Sequence, residues 1–146
     1  MENKYKLSRE QNVFIAKRNI VDYIWKSANL EGIEVTYSET QAIYDGGIVN
    51  GLTVDNVIAI NNLKYAWQFI LEEEDVNNDF KAISYLHKLV CDKLVFEENL
   101  GKIRTTPVNI GGTKWQPSFP IESQIKEELE SLLNQSEKTK TELLLK

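Results

Sequence analysis

His87 and Cys91 are the only histidine and the only cysteine of the chain, and they stand four residues apart. That spacing sets two side chains on one face of a helix, as a Cys–His nucleophile pair requires. The neighbouring residues argue for packing instead. Ile83, Leu86, Val90 and Leu94 recur on the same stripe. His87 is therefore expected as a core histidine held by one hydrogen bond, and Cys91 as a small buried hydrophobe. One histidine and one cysteine cannot complete a His/Cys zinc site, and no metal site is expected. Asp45-Gly46-Gly47 is not followed by the Gly-Lys-Ser/Thr of a phosphate loop, and Gly111-Gly112 reads as a turn between two extended runs. Glu72, Glu73, Glu74 and Asp75 read as a solvated helix end. Glu127, Glu128 and Glu130 read as the polar face of a helix.

Two features remain after these are set aside. Ser27 and Glu31 lie one helical turn apart, with Gly32 next. The spacing puts both side chains on one face, with the carboxylate at the carboxyl end of the helix, where it opposes the macrodipole. Such a placement calls for an arginine partner or for solvent. The second feature is the glycine-pair turn, whose proline-interrupted edge is suited to pairing with an incoming strand.

The elements that position these residues are set by capping signals and periodicity. Ser8-Arg9-Glu10-Gln11 is a capping box and predicts a helix to about Ala28, carried by Val13, Ala16, Ile20 and Ile24. Gly32 provides a left-handed exit. Thr36-Tyr37-Ser38-Glu39 is a second capping box, opening a short helix that Asp45-Gly46-Gly47 must break. Thr53 caps a long helix to about Glu74, with a loop after it at 75–78. Asp79 caps the next helix, on which His87 and Cys91 fall. Residues 103–116 are rich in β-branched side chains around Gly111-Gly112 and predict a two-stranded hairpin, with Pro107 marking an edge. Residues 121–133 are amphipathic, and Ser136 caps a last helix reaching Leu143, Leu144 and Leu145. Because the apolar periodicity is still running at Lys146, that helix is expected to be cut rather than finished. The fold class expected is mainly α, with one small β-hairpin.

The 146 residues amount to one domain's worth of chain, and 42% hydrophobic with 27% charged residues is the composition of a globular domain rather than a disordered one. Seventeen basic against twenty-two acidic residues give a net charge of -5. That argues against nucleic acid as a partner, since binding driven by phosphate contacts needs a basic surface. No apolar run is long enough to span a membrane, and the N-terminus lacks the apolar stretch of a signal peptide, so the expected location is the cytoplasm.

The Ser27-x-x-x-Glu31-Gly32 segment resembles the inhibitory motif, Ser/Thr-x-x-x-Glu-Gly/Asn, of the Fic family of AMP-transferring proteins. The order of the later segments is also similar to that family: Tyr37-Ser38-Glu39-Thr40, Gly46-Gly47, Asn61 and Asn62 with Ala66, Leu86-His87, Gly101-Lys102-Ile103-Arg104, Val108-Asn109-Ile110-Gly111-Gly112, and Pro117. The resemblance covers about residues 8–133. It implies a single incomplete Fic-like domain. Residues 8–32 would be the inhibitory helix segment, 36–100 a helical core, 101–117 the "flap" hairpin, and 121–146 C-terminal helices. It implies the N-terminal portion of a protein adenylyltransferase that moves AMP from ATP to a protein hydroxyl, with ATP and Mg as the cofactors of the complete protein.

In the family the inhibitory Glu pairs with an arginine of the catalytic loop, so Glu31 would be the inhibitor and Ser27 and Gly32 its support. The target protein would add as a strand to the flap, here Thr105, Thr106, Pro107, Val108, Asn109, Ile110, Gly111, Gly112, Thr113, Lys114 and Trp115. The loop itself, His-x-Phe-x-Asp/Glu-Gly-Asn-Gly/Lys-Arg, does not occur in these residues. No catalytic residue and no bound cofactor are therefore expected for this chain alone, and His87 does not take the role of the loop histidine. A catalytically inactive regulatory or antitoxin-like binding module stays open as the alternative. Apolar surface left where further core would pack predicts a homo-oligomer or poor solubility.

Overall fold

A computed structural model of the chain describes residues 6–73, 79–118 and 121–133. It is mainly helical: α1 (Arg9–Arg18), α2 (Ile20–Leu30), α3 (Tyr37–Tyr44), α4 (Val54–Glu72), α5 (Phe80–Cys91) and α6 (Glu122–Leu133), with a single 3-10 turn at Glu97–Asn99. The expected last helix after Ser136 and the loop at 75–78 lie outside the described residues. Among the described residues, no helix is long and apolar enough to cross a membrane.

The capping signals set the helix starts. Ser8 Oγ accepts from Gln11 N–H at 3.2 Å, and Gln11 Oε1 accepts from Ser8 N–H at 2.9 Å. Thr36 and Glu39 exchange the same pair of bonds at the head of α3. Thr53 accepts from Asn56 N–H and Asp79 from Ala82 N–H, each satisfying a donor that a first turn leaves free.

The single N-terminal helix expected from periodicity is two. Asn19 Nδ2 donates to the Ile15 carbonyl at 2.8 Å, and the Asn19 N–H is shared between Ile15 and Ala16 oxygens at 3.1 Å each. An Asn side chain that competes for a backbone acceptor disrupts the regular ladder, and α2 restarts at Ile20. The core falls on the second helix. Ile20, Val21, Ile24 and Ala28 of α2 are buried, and α1 has no buried residue.

The α2 stripe meets Val35, Ile43 of α3 and Ile60 of α4, with Trp25, Ile33, Leu63 and Trp67 packed around them. Each fully buried isoleucine stabilises the fold by about 1.5–3 kcal/mol. Tyr23 and Trp67 stack 5.1 Å apart across the α2–α4 contact. Lys64 of α4 donates to the Tyr44 carbonyl at 2.6 Å, covering an acceptor that the end of α3 leaves free.

Helix α5 forms an outer layer on α4. Phe69 and Tyr85 meet edge to face at 4.8 Å. Asn62, buried at 4% exposure, donates to the carbonyls of Val90 (3.1 Å) and Asp92 (2.8 Å), closing the carboxyl end of α5. Helix α6 and the turn at Gly101 also touch α5, yet none of its residues is buried. His87 is thus exposed rather than a core histidine, although it does make one hydrogen bond, and Cys91 is half-buried.

The expected hairpin over 103–116 does not form a ladder: no strand occurs among the described residues. The turn at Gly111-Gly112 is present, with Gly112 at φ +77 and the Thr113 N–H reaching Ile110 oxygen at 3.3 Å. Pro107 removes a donor from the first arm. The arms are joined instead by Arg104, whose guanidinium donates to the carbonyls of Thr106 (2.8 Å) and Ser118 (3.3 Å).

Candidate functional site

The carboxyl end of α2 is a complete Schellman corner. Glu31 is the last half-helical residue, and its N–H donates to Ser27 oxygen at 3.1 Å. Gly32 takes φ +79, its N–H reaches Asn29 oxygen at 3.1 Å, and the Ile33 N–H reaches Ala28 oxygen at 3.0 Å. A left-handed residue is required at position 32, which explains the glycine. Ile33 then folds back against the core.

The Glu31 side chain is exposed and has no ion-pair or hydrogen-bond partner among the described residues, while Ser27 is half-buried. Ser27 contributes its carbonyl to the corner. No hydrogen bond from its hydroxyl is present among the described residues. An exposed carboxylate held on an ordered helix end, against the macrodipole, is well placed to receive a cation from outside this segment.

Two residues that sequence reasoning passed over complete the corner. Asn29 Nδ2 donates to Trp25 oxygen at 2.8 Å and to Val35 oxygen at 3.2 Å. The Trp25 indole N–H donates to the same Val35 oxygen at 2.9 Å. Asn inside the last turn of a helix that ends at Gly was the available signal, since its short amide readily bonds nearby backbone.

The target-binding segment expected at Thr105 to Trp115 lies on the surface. Val108, Ile110 and Trp115 are exposed, Trp115 to 64%. Its anchor is Gly101. The Gly101 N–H donates to His87 Nδ1 at 2.9 Å, and the Ser84 hydroxyl donates to Gly101 oxygen at 2.5 Å. Ser84 and His87, three apart on α5, hold both polar groups of one residue. Gly101 has φ +68, and a Cβ there would meet Ser84 oxygen at 2.7 Å. The segment therefore hangs from α5 at one fixed point and is closed on itself by Arg104. No hydrogen bond or ion pair among the described residues joins this segment to the Ser27–Gly32 corner. The two are connected through the packed elements α2, α4 and α5.

The same contacts decide the chemistry of His87 and Cys91. His87 Nδ1 accepts the Gly101 N–H, so the neutral ring carries its proton on Nε2. Nε2 faces Cys91 Sγ at 3.8 Å. A base for the thiol would need that nitrogen bare. Burial also pushes the Cys91 thiol above its ordinary pKa. Geometry and electrostatics both oppose a Cys–His nucleophile, and His87 acts as an anchor.

Among the described residues, no site for ATP with Mg is assembled. The described residues contain no group of three or more His, Cys, Asp or Glu able to hold a metal ion, and neither glycine pair precedes a helix with its N–H groups free for a phosphate. No family model, curated protein or solved structure matches the chain.

Proposed function

We propose that this chain is the regulatory and target-binding portion of a Fic-type protein adenylyltransferase, with Glu31 as its inhibitory group. The observation that carries this reading is the Glu31 carboxylate, exposed and without a partner among the described residues, at the end of a helix fixed by Gly32. In a polypeptide that also contains the catalytic loop, Glu31 pairs with the loop arginine and withholds it from a triphosphate. Two charges enclosed together are costly to separate, which makes the pair an effective lock.

The segment from Thr105 to Trp115 takes the target. Among the described residues, the N–H groups of Thr105, Thr106, Val108 and Asn109 have no backbone acceptor. Successive N–H groups of an extended run point to opposite edges, so an added strand would satisfy one alternate set, Thr106 with Val108 or Thr105 with Asn109, with Val108, Ile110 and Trp115 as apolar contacts. This chain supplies the inhibitor and the docking edge, while chemistry at the nucleotide belongs to the loop.

Labelled AMP incorporation tests the reading. The polypeptide containing the loop should transfer AMP much faster with Glu31→Gly than with Glu31, and the 146 residues alone should transfer none. Equal rates for the two would make Glu31 an ordinary helix-end carboxylate.

A further inference from the structure

Four residues, 31–34, cross from α2 toward α3; the Asn29 main-chain carbonyl holds the near end, and the side chains of Asn29 and Trp25 hold the far end at Val35. Asn29 accepts the Gly32 N–H on its carbonyl at 3.1 Å and directs its side-chain amide to the oxygens of Trp25 and Val35. Trp25 donates to Val35 oxygen as well, so both lone pairs of that carbonyl are occupied. On the far side the Trp25 ring meets Tyr37, the first residue of α3, edge to face at 6.0 Å. Val35 itself is buried at 6% exposure. The crossing is a strap with one fixed end at the helix and the other in the core, and Glu31 is its first residue.

We propose that Asn29 and Trp25 are the positioning residues of Glu31. By clamping the Val35 carbonyl to the last turn of α2 they fix the place from which the Glu31 side chain departs. The inference rests on the regulatory reading of Glu31. An exposed carboxylate with no partner among the described residues is directed by its backbone alone, and a forked contact with a guanidinium tolerates little displacement. The Ser27 hydroxyl makes no hydrogen bond to Glu31 among the described residues, so this task falls on the strap.

Asn29→Asp preserves shape and loses both donated bonds. Asn29→Ala loses them without adding charge, and Trp25→Phe keeps a ring and loses the N–H. In the polypeptide containing the loop, each should raise AMP incorporation about three- to tenfold, the size that one or two neutral hydrogen bonds contribute. In a Glu31→Gly background none should raise it further, because there is no carboxylate left to misplace. In the 146-residue chain, the Gly32 and Ile33 amides should exchange with deuterium about three- to tenfold faster in the Asn29 variants, while those of α4 stay unchanged.

A merely structural role would lower incorporation equally in both backgrounds and would overturn the proposal. So would a rise from Glu31→Gly with none from the Asn29 and Trp25 variants. No rise from Glu31→Gly itself would instead bring down the regulatory reading, and this inference with it.

Discussion

Replacing Gly101 by alanine should release the 102–118 segment from α5 while leaving the helical core folded. The added Cβ would lie 2.7 Å from Ser84 oxygen and 2.6 Å from Lys88 Cε. The lysine stem can swing aside, but Ser84 oxygen belongs to the backbone of α5 and cannot. Alanine at φ +68 also carries a left-handed penalty of about 1–2 kcal/mol. The chain relieves both by lifting off, which forfeits the Gly101 N–H bond to His87 and the Ser84 bond to Gly101 oxygen. The docked state weakens by the strain that alanine adds to it, at least about 1–2 kcal/mol from the backbone alone, a shift in its population of at least roughly 5- to 30-fold. The assay is 15N spectroscopy of the His87 ring with amide exchange along the chain. The wild type should show an Nε2–H tautomer with bare Nδ1. The variant should lose that preference and exchange faster over 102–118, with α2 and α4 protected as before. Gly32→Ala is the control. It has φ +79 but nothing within 4 Å of the new Cβ, so it carries only the backbone penalty. An unchanged His87 tautomer and unchanged exchange in Gly101→Ala would refute the anchoring argument.

Three further outcomes are expected from the same contacts. Asn62→Ala leaves the carbonyls of Val90 and Asp92 without their donor at a buried position, and should lower stability in urea by about 1–3 kcal/mol; a change under about 0.5 kcal/mol would show that water replaces it. Glu39 should titrate below the ordinary glutamate range, because the Thr36 hydroxyl and then the Thr36 N–H hold its carboxylate. The capping box then contributes fully above the unfolded pKa and is lost as pH falls through the lower folded value. A carboxyl-carbon titration of Glu39 with an ordinary midpoint, unmoved by Thr36→Val, would contradict this. Cys91 should react with a neutral disulfide reagent at pH 7.5 more slowly than a free thiol, since burial disfavours its thiolate; a faster reaction would reopen a nucleophilic role.

Much of the helical layout is legible in the sequence because caps are local. Ser8, Thr36, Thr53 and Asp79 each bond an amide within three residues, so the pattern is contained in a four-residue window. The break at Asn19 is less visible, since an Asn amide inside a helix bonds either solvent or the Ile15 carbonyl with similar ease. Over 103–116 the β-branched residues mark where helix stops, but they do not show Arg104 reaching Ser118 across the loop. His87 illustrates the same limit: its place on an apolar stripe is plain, but exposure depends on whether a second layer covers α5. At the candidate site Glu31 and Gly32 stand out by residue type, whereas the strap through Val35 needs the fold before Trp25 and Asn29 become relevant.

The proposed pairing of Glu31 with an arginine of a catalytic loop is tested most directly by a double-mutant cycle read through ATP affinity. Four forms of the polypeptide containing the loop are titrated calorimetrically: wild type, Glu31→Gly, the loop arginine changed to alanine, and both together. If the carboxylate occupies that arginine, Glu31→Gly tightens ATP binding about a hundredfold, equivalent to roughly 3 kcal/mol for a broken enclosed pair. With the arginine already removed, Glu31→Gly should change affinity by less than about twofold, within the scatter of additivity. The same gain in both backgrounds would place Glu31 out of contact with the arginine and contradict the account.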